Sequence, residues 1–269
     1  MKKVLVITGG ASGIGAATAR LAAEKGYSIA INYRTREREA TRLVDELSGA
    51  GATAIAVQAD ISLTEDIKRL YRVVDEKLGT VTALVNSAGI GIGQTRVDET
   101  DEAVLHQLFT TNVLGLILST REAVRRMSTA HGGKGGVIVN VSSMASTIGG
   151  RPGASLYAAS KGAVDAFTVG LAKEVASEGI RAVAVRPGFT ITEMTSAFVT
   201  DQHILAGISS TIPIGRPALV DEIAKPVVWL LSEEASFISG ALLDISGGGF
   251  TLGASALPSP KRVLSAVDN

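Results

Sequence analysis

Short runs of β-branched and other apolar residues alternate along the chain with longer amphipathic stretches, which predicts strand and helix in regular alternation. Strands are expected at Val4 to Thr8, Ser28 to Asn32, Thr53 to Gln58, Val81 to Asn86, Val137 to Ser142, Arg181 to Arg186 and Leu242 to Ile245. Helices are expected near 14 to 25, 36 to 49, 64 to 77, 101 to 127, 157 to 178 and 220 to 231, each long enough to cross between parallel strands. Val4-Leu5-Val6-Ile7 and Val137-Ile138-Val139 are apolar at successive positions, as strands covered on both faces must be. The expected fold is therefore α/β: a single doubly wound domain over residues 1–253, with a seven-stranded parallel sheet and helices on both faces. Residues 254–269, with Pro258 and Pro260, read as a C-terminal tail. In such a sheet ligands gather at the carboxyl ends of the strands.

Local signals refine the pattern. Ser62 and Glu65 have the spacing of a capping box, and Gly26 and Gly179 stand where helices stop before strands. Gly132-Gly133-Lys134-Gly135-Gly136 reads as a flexible surface connection, and Pro226 should kink its helix or start a new one after Lys225.

Composition narrows the function classes. With 26 basic and 26 acidic residues the chain offers no field for nucleic acid or anionic lipid. No cysteine is present, which excludes disulfides, zinc thiolates and thiol nucleophiles and suits a reducing compartment. The three histidines, His106, His131 and His203, are too dispersed to suggest a metal site. The apolar run after Lys3 is too short for a signal peptide, and no segment reads as a run of about 18 apolar residues that would cross a membrane. A cytoplasmic protein is expected.

After the first strand comes Thr8-Gly9-Gly10-Ala11-Ser12-Gly13-Ile14-Gly15, leading into an Ala-rich helix. Glycines at a strand-to-helix turn let backbone approach a pyrophosphate, and the free N–H groups and dipole of the helix favour its charge. Gly9, Gly13 and Gly15 are the expected contacts, with Ser12 and Ile14 between them. The Gly-Lys-Ser/Thr of triphosphate hydrolases does not follow.

The spacing T-G-x-x-x-G-x-G resembles the short-chain dehydrogenase/reductase family. Further motifs follow in the same order: Asp60-Ile61, Asn86-Ser87-Ala88-Gly89, Asn112, Ser142-Ser143, Tyr157-Ala158-Ala159-Ser160-Lys161 and Pro187-Gly188. The resemblance spans residues 3 to about 250 and implies a Rossmann-type fold binding NAD or NADP. It implies that Asp60 and Ile61 lie against the adenine, and that Asn86, Ala88, Gly89, Pro187, Gly188, Thr190 and Thr192 line the cofactor. Ser87 departs from a second asparagine in many relatives, and Thr190 is polar where aliphatics are common.

The second strand closes on Ile31-Asn32-Tyr33-Arg34 with no acid to bind a ribose 2′-hydroxyl. Arg34 could instead pair with a 2′-phosphate, so NADP is expected over NAD. Arg36 and Arg38 read as a solvated helix face. Against this, Ser12 stands where NADP-preferring relatives often carry a basic residue.

Tyr157 and Lys161 are four apart on an expected helix, about 40° around the axis and ~6 Å along it, so both face one site. An ammonium beside a phenol stabilises phenolate and brings its pKa toward neutrality. Tyr157 would then give a proton to a carbonyl oxygen as hydride arrives, or take it from an alcohol. The resemblance implies that Ser143 bonds the same oxygen, that Lys161 also holds the nicotinamide ribose, and that Asn112 supports a water-linked relay. The interval from Ser143 to Tyr157 is one residue longer than in many relatives, which leaves Ser142 as an alternative. Asn112 could also bond local backbone.

Residues 189–215 correspond to the family's substrate loop, with Met194, Phe198, Ile204, Leu205 and Ile208 as apolar candidates and no clustered charge. Sugar dehydrogenases and 3-oxoacyl thioester reductases are the members most similar. The expected partner is a small carbonyl or alcohol substrate, and a homotetramer is implied through the helices near 101 to 127 and 157 to 178 and the last strand. The rival class is a dinucleotide-binding sensor or scaffold without turnover, which would not require Ser143, Tyr157 and Lys161 together.

Overall fold

A computed structural model describes residues 3–93 and 95–249; the tail at 254–269 lies outside them. In chain order the elements are β1 (Lys3–Thr8), α1 (Gly13–Glu24), β2 (Tyr27–Tyr33), α2 (Glu37–Gly49), β3 (Ala54–Gln58), α3 (Thr64–Lys77) and β4 (Ala83–Asn86). There follow α4 (Glu102–Phe109), α5 (Leu116–Met127), β5 (Gly136–Val141), α6 (Ala145–Ile148), α7 (Ser155–Val175) and β6 (Ile180–Pro187). Last come α8 (Ser196–Val199), α9 (Gln202–Ser209), α10 (Val220–Leu230) and β7 (Leu242–Ile245).

The seven strands form one parallel sheet in the order β3-β2-β1-β4-β5-β6-β7. The chain winds outward from β1 to β3, then returns to place β4 on the other side of β1, so the switch point lies between β1 and β4. Thr8 and Asn86 are in register there, and the Thr8 hydroxyl accepts the N–H groups of Ser87 and Ala88 at 3.2 Å.

Alternation along the strands builds two cores. Leu5, Ile7, Ile29, Ile31, Val85 and Val139 pack on one face with α1, α2 and α10, while Val4, Val6, Ala30, Leu84 and Ile138 pack on the other with α3, α5 and α7. Each of the buried Val, Leu and Ile side chains contributes about 1.5–3 kcal/mol on burial. That explains how α10 continues through Pro226 rather than giving way to a new helix after Lys225. A proline inside a helix costs about 3 kcal/mol, which the burial of Ile223, Ala224, Val227, Val228 and Leu230 offsets.

Four other local expectations are corrected. Ser62 does not cap α3, because its hydroxyl and N–H both donate to Asp60 Oδ1 (2.7 and 2.9 Å), while Glu65 pairs with Lys68. The Gly132–Gly136 connection is closely packed rather than flexible: a Cβ at Gly133 would lie 2.3 Å from the Met127 carbonyl oxygen, and one at Gly135 2.4 Å from that of Gly179. The helix expected over 101 to 127 is interrupted by a π-helical turn, Thr110–Gly115, between α4 and α5. The whole helical span Glu102–Met127, 26 residues with a mean hydropathy of 1.3 over its most apolar window, is long and apolar enough to cross a membrane, contrary to expectation. Leu108, Leu116, Ala123 and Met127 on it are nevertheless buried within the protein.

Candidate active site

The glycine-rich turn is shaped by close approach. Gly9 has φ +64°, and a Cβ there would lie 2.7 Å from Ala88 Cα; one at Gly15 would lie 2.5 Å from the Gly9 carbonyl oxygen. At Gly13 (φ +53°) only the Thr192 side chain comes within 4 Å, at 3.7 Å, so this edge of the turn opens to a ligand. Ser12 begins α1 without capping it by side chain, and among the described residues no side chain accepts the first-turn N–H groups at Gly13, Ile14 and Gly15. Space, donors and dipole together fit a pyrophosphate.

Asn32, which the sequence reading passed over, fixes this turn. Its Oδ1 accepts the Gly9 N–H (3.3 Å) while its Nδ2 donates to the Ala59 carbonyl (2.9 Å), joining the ends of β1, β2 and β3.

On the adenosine side Arg34 leaves the end of β2 exposed, with Nη1 3.9 Å from Asp60 Oδ2. Ile61 is buried, and its carbonyl oxygen lies 2.5 Å from where a Cβ on Gly115 would stand. Arg38 is exposed as expected of a solvated face, but Arg36 is not free: both of its terminal nitrogens donate to the carboxylate of Glu193.

Across the switch point, α7 carries Tyr157 and Lys161. Lys161 is only 5% exposed; its Nζ donates to the Val141 carbonyl at the end of β5 (2.8 Å) and sits 5.8 Å from the centre of the Tyr157 ring. The Ser143 side chain lies near enough to the Tyr157 phenol to favour its ionised form, and its Oγ accepts the Ala145 N–H (3.1 Å). Ser142 is turned away, its hydroxyl donating to the Lys161 carbonyl at 3.2 Å, so the serine facing Tyr157 is Ser143.

Asn112 lies in the π-helical turn, a feature frequent at functional sites. Its Oδ1 accepts the Ile90 N–H (2.8 Å), and its Nδ2 donates to the Ile90 carbonyl (2.9 Å) and to Ser160 Oγ (3.2 Å). It bonds backbone, but backbone far away in sequence, and so holds the segment after β4 beside α7. A Cβ on Gly89 in that segment would stand 3.3 Å from Asn112 Oδ1 and 3.6 Å from Lys161 Nζ.

The electrostatics differ from expectation. Burial raises the Tyr157 phenol above its ordinary value, with the nearby Ser143 side chain opposing. Burial pushes Lys161 down to about 8, with the Asp165 carboxylate opposing. Desolvation thus outweighs the pairing that the spacing suggested.

Two further cofactor candidates are occupied elsewhere. Asn86 turns its amide into the core, where Nδ2 donates to Thr120 Oγ1 and Asn140 Oδ1, each at 2.9 Å. Thr190 is buried and donates to the Gly188 carbonyl (3.1 Å). Pro187 ends β6, Gly188 packs against Ser246, and Thr192 faces Gly13. Beyond them the 189–215 segment exposes Met194, Phe198 and Ile204, with Phe198 edge-on to Phe189 at 6.2 Å, whereas Ile208 is buried.

A glycine-rich turn that fits a pyrophosphate, at the same sheet end as a phenol and an ammonium, suits chemistry on a bound nucleotide, the work of an oxidoreductase. Residues 9–250 match the family model described as "Enoyl-(Acyl carrier protein) reductase", and the chain belongs to the short-chain dehydrogenase/reductase family. It is 42% identical over 246 residues to Uncharacterized oxidoreductase YgfF of Escherichia coli (strain K12), covering 91% of this chain and 99% of that protein. A 3-ketoacyl-(acyl-carrier-protein) reductase from Brucella melitensis complexed with NADH has the same fold, with a TM-score of 0.84 and 33% identity over 91% of this chain and 97% of the other. So does a gluconate 5-dehydrogenase from Burkholderia cenocepacia J2315 in complex with NADP and tartrate, with a TM-score of 0.85 and 31% identity over 92% of this chain and 95% of the other. The chain is therefore an enzyme of the oxidoreductase class.

Proposed function

We propose that this enzyme is an NADP-preferring reductase that moves hydride between nicotinamide and a carbonyl or alcohol carbon, with Tyr157 as its acid/base. The observation that carries the reading is the meeting of the Tyr157 phenol, the Ser143 hydroxyl and the Lys161 ammonium at the same sheet end as the glycine-rich turn. When bound, the nicotinamide supplies or accepts the hydride.

The chain's own residues do the rest. Ser143 holds the substrate oxygen beside Tyr157, and Tyr157 Oη delivers its proton to that oxygen as negative charge develops, or removes it in the reverse direction. A phenol kept protonated by burial is suited to donate, which favours reduction. Lys161 holds the nicotinamide ribose, and Asn112 keeps the Gly89–Ile90 backbone against that position. Gly9, Ser12, Gly13, Ile14 and Gly15 hold the pyrophosphate, Asp60 and Ile61 the adenine, and Ala88, Pro187, Gly188 and Thr192 border the cofactor. Asn86 and Thr190 contribute through backbone alone.

The exposed Met194, Phe198 and Ile148 around the site favour a substrate with an apolar chain, such as a 3-oxoacyl thioester, over a sugar. Exposed Trp229, Phe237 and Leu243, near and on the edge strand β7, support assembly as a homotetramer; the enzyme would act in the cytoplasm.

Paired titration with NADPH and NADH, followed by nicotinamide fluorescence, tests the cofactor reading. NADPH is expected to bind more tightly. Arg34→Ala should weaken NADPH about 10-fold or more, the worth of a charged hydrogen bond, while NADH changes little; equal losses would refute the 2′-phosphate role.

A further inference from the structure

Arg36 and Glu193 are 157 residues apart, yet their side chains form a two-pronged ion pair. Arg36 is the residue before α2, two beyond Arg34. Glu193 directly follows Thr192, whose side chain lies against Gly13 at the mouth of the glycine-rich turn. The pair therefore ties the outer end of β2, where the adenosine ribose is read, to the start of the substrate segment, and crosses beside the turn. Both partners are substantially exposed, 38% and 59% by side chain, so a soluble anion can reach them.

We infer that Glu193 is a second determinant of cofactor choice: its carboxylate occupies Arg36, which would otherwise add a second guanidinium to Arg34 for a ribose 2′-phosphate. The physical basis is competition. A planar guanidinium presents one fork that fits a carboxylate or a phosphate in the same two-bonded way, and the two anions also repel one another. NADP must displace Glu193 to use Arg36, whereas NAD, with a neutral 2′-hydroxyl, meets no such contest. The preference conferred by Arg34 is thereby held below what two arginines would give, and Glu193 is freed only when a 2′-phosphate is present.

This inference rests on the cofactor reading above, and the test separates the two. Wild type, Glu193→Gln and the double variant Arg36→Ala/Glu193→Gln are titrated with NADPH and NADH at one salt concentration. Glu193→Gln should tighten NADPH about 2- to 5-fold, the upper range for one added ion pair at an exposed site, leave NADH unchanged within error, and lose its gain in the double variant. A wild type that binds neither nucleotide overturns the cofactor reading and this inference with it. A wild type that binds normally, with Glu193→Gln shifting both nucleotides equally or not at all, overturns the role of Glu193 alone. A gain that survives in the double variant also overturns it, since Arg36 would then not be the group released.

Discussion

The cofactor half of the molecule and the 189–215 segment are built by opposite rules. Around β1, β2 and β4 the backbone is so closely packed that added methyl groups at Gly9 and Gly15 would fall 2.7 and 2.5 Å from main-chain atoms, and Asn32 ties three strand ends together. The 189–215 segment holds a 3-10 turn at Glu193–Thr195, a four-residue helix and an eight-residue helix, and it leaves Met194, Phe198 and Ile204 exposed. A closely packed cradle suits a ligand whose phosphates must be met by fixed backbone groups, while in our proposal substrate choice varies on the more exposed segment.

Substitutions should break this contrast unequally. The largest effect is expected in the cradle: Gly15→Val drives side-chain carbons into the Gly9 carbonyl and should cost about 3 kcal/mol or more of stability, together with dinucleotide binding, as read by thermal melting and titration. Next comes pH. Lys161 is charged below about 8 and neutral above it, because burial lowers its pKa from the ordinary amine value, so turnover should fall as pH rises through about 8. Asp165 opposes that lowering, and it also lies 3.7 Å from Arg186. Asp165→Asn should therefore move the falling limb to lower pH by up to about one unit; a limb that moves upward would contradict the assignment. The smallest effect belongs to the cover, where Phe198→Ala should change KM about 2- to 10-fold, as loss of one partly exposed apolar contact does, and leave cofactor affinity unchanged.

What could be read from the sequence follows the same division. The glycine turn and the Tyr157–Lys161 spacing are local patterns, and local geometry decides where those residues point. The parallel, doubly wound sheet followed from apolar runs alternating with crossover-length helices, whereas the order of its strands did not. Asn32 and Arg36 were missed because their partners are set by tertiary placement: Asn32 reaches Gly9 and Ala59, and Arg36 reaches Glu193. Ser62 was misread for a nearer reason, since Asp60 two residues before it offers a better acceptor than the helix end does an N–H. The π-helical turn at Thr110–Gly115 gives no signal in hydrophobic spacing, yet it carries Asn112 to Ile90. The pKa balance at Tyr157 was also beyond spacing alone, because burial of both groups decides it.

The central claim is that Tyr157 moves the substrate proton, and the direct measurement is turnover of Tyr157→Phe with NADPH and a carbonyl substrate beside a titration of the same variant. Loss of kcat by about 10²- to 10⁴-fold, the usual contribution of a general acid, with NADPH affinity within about twofold of wild type, is the predicted result. Turnover retained by a variant that still binds NADPH would contradict it.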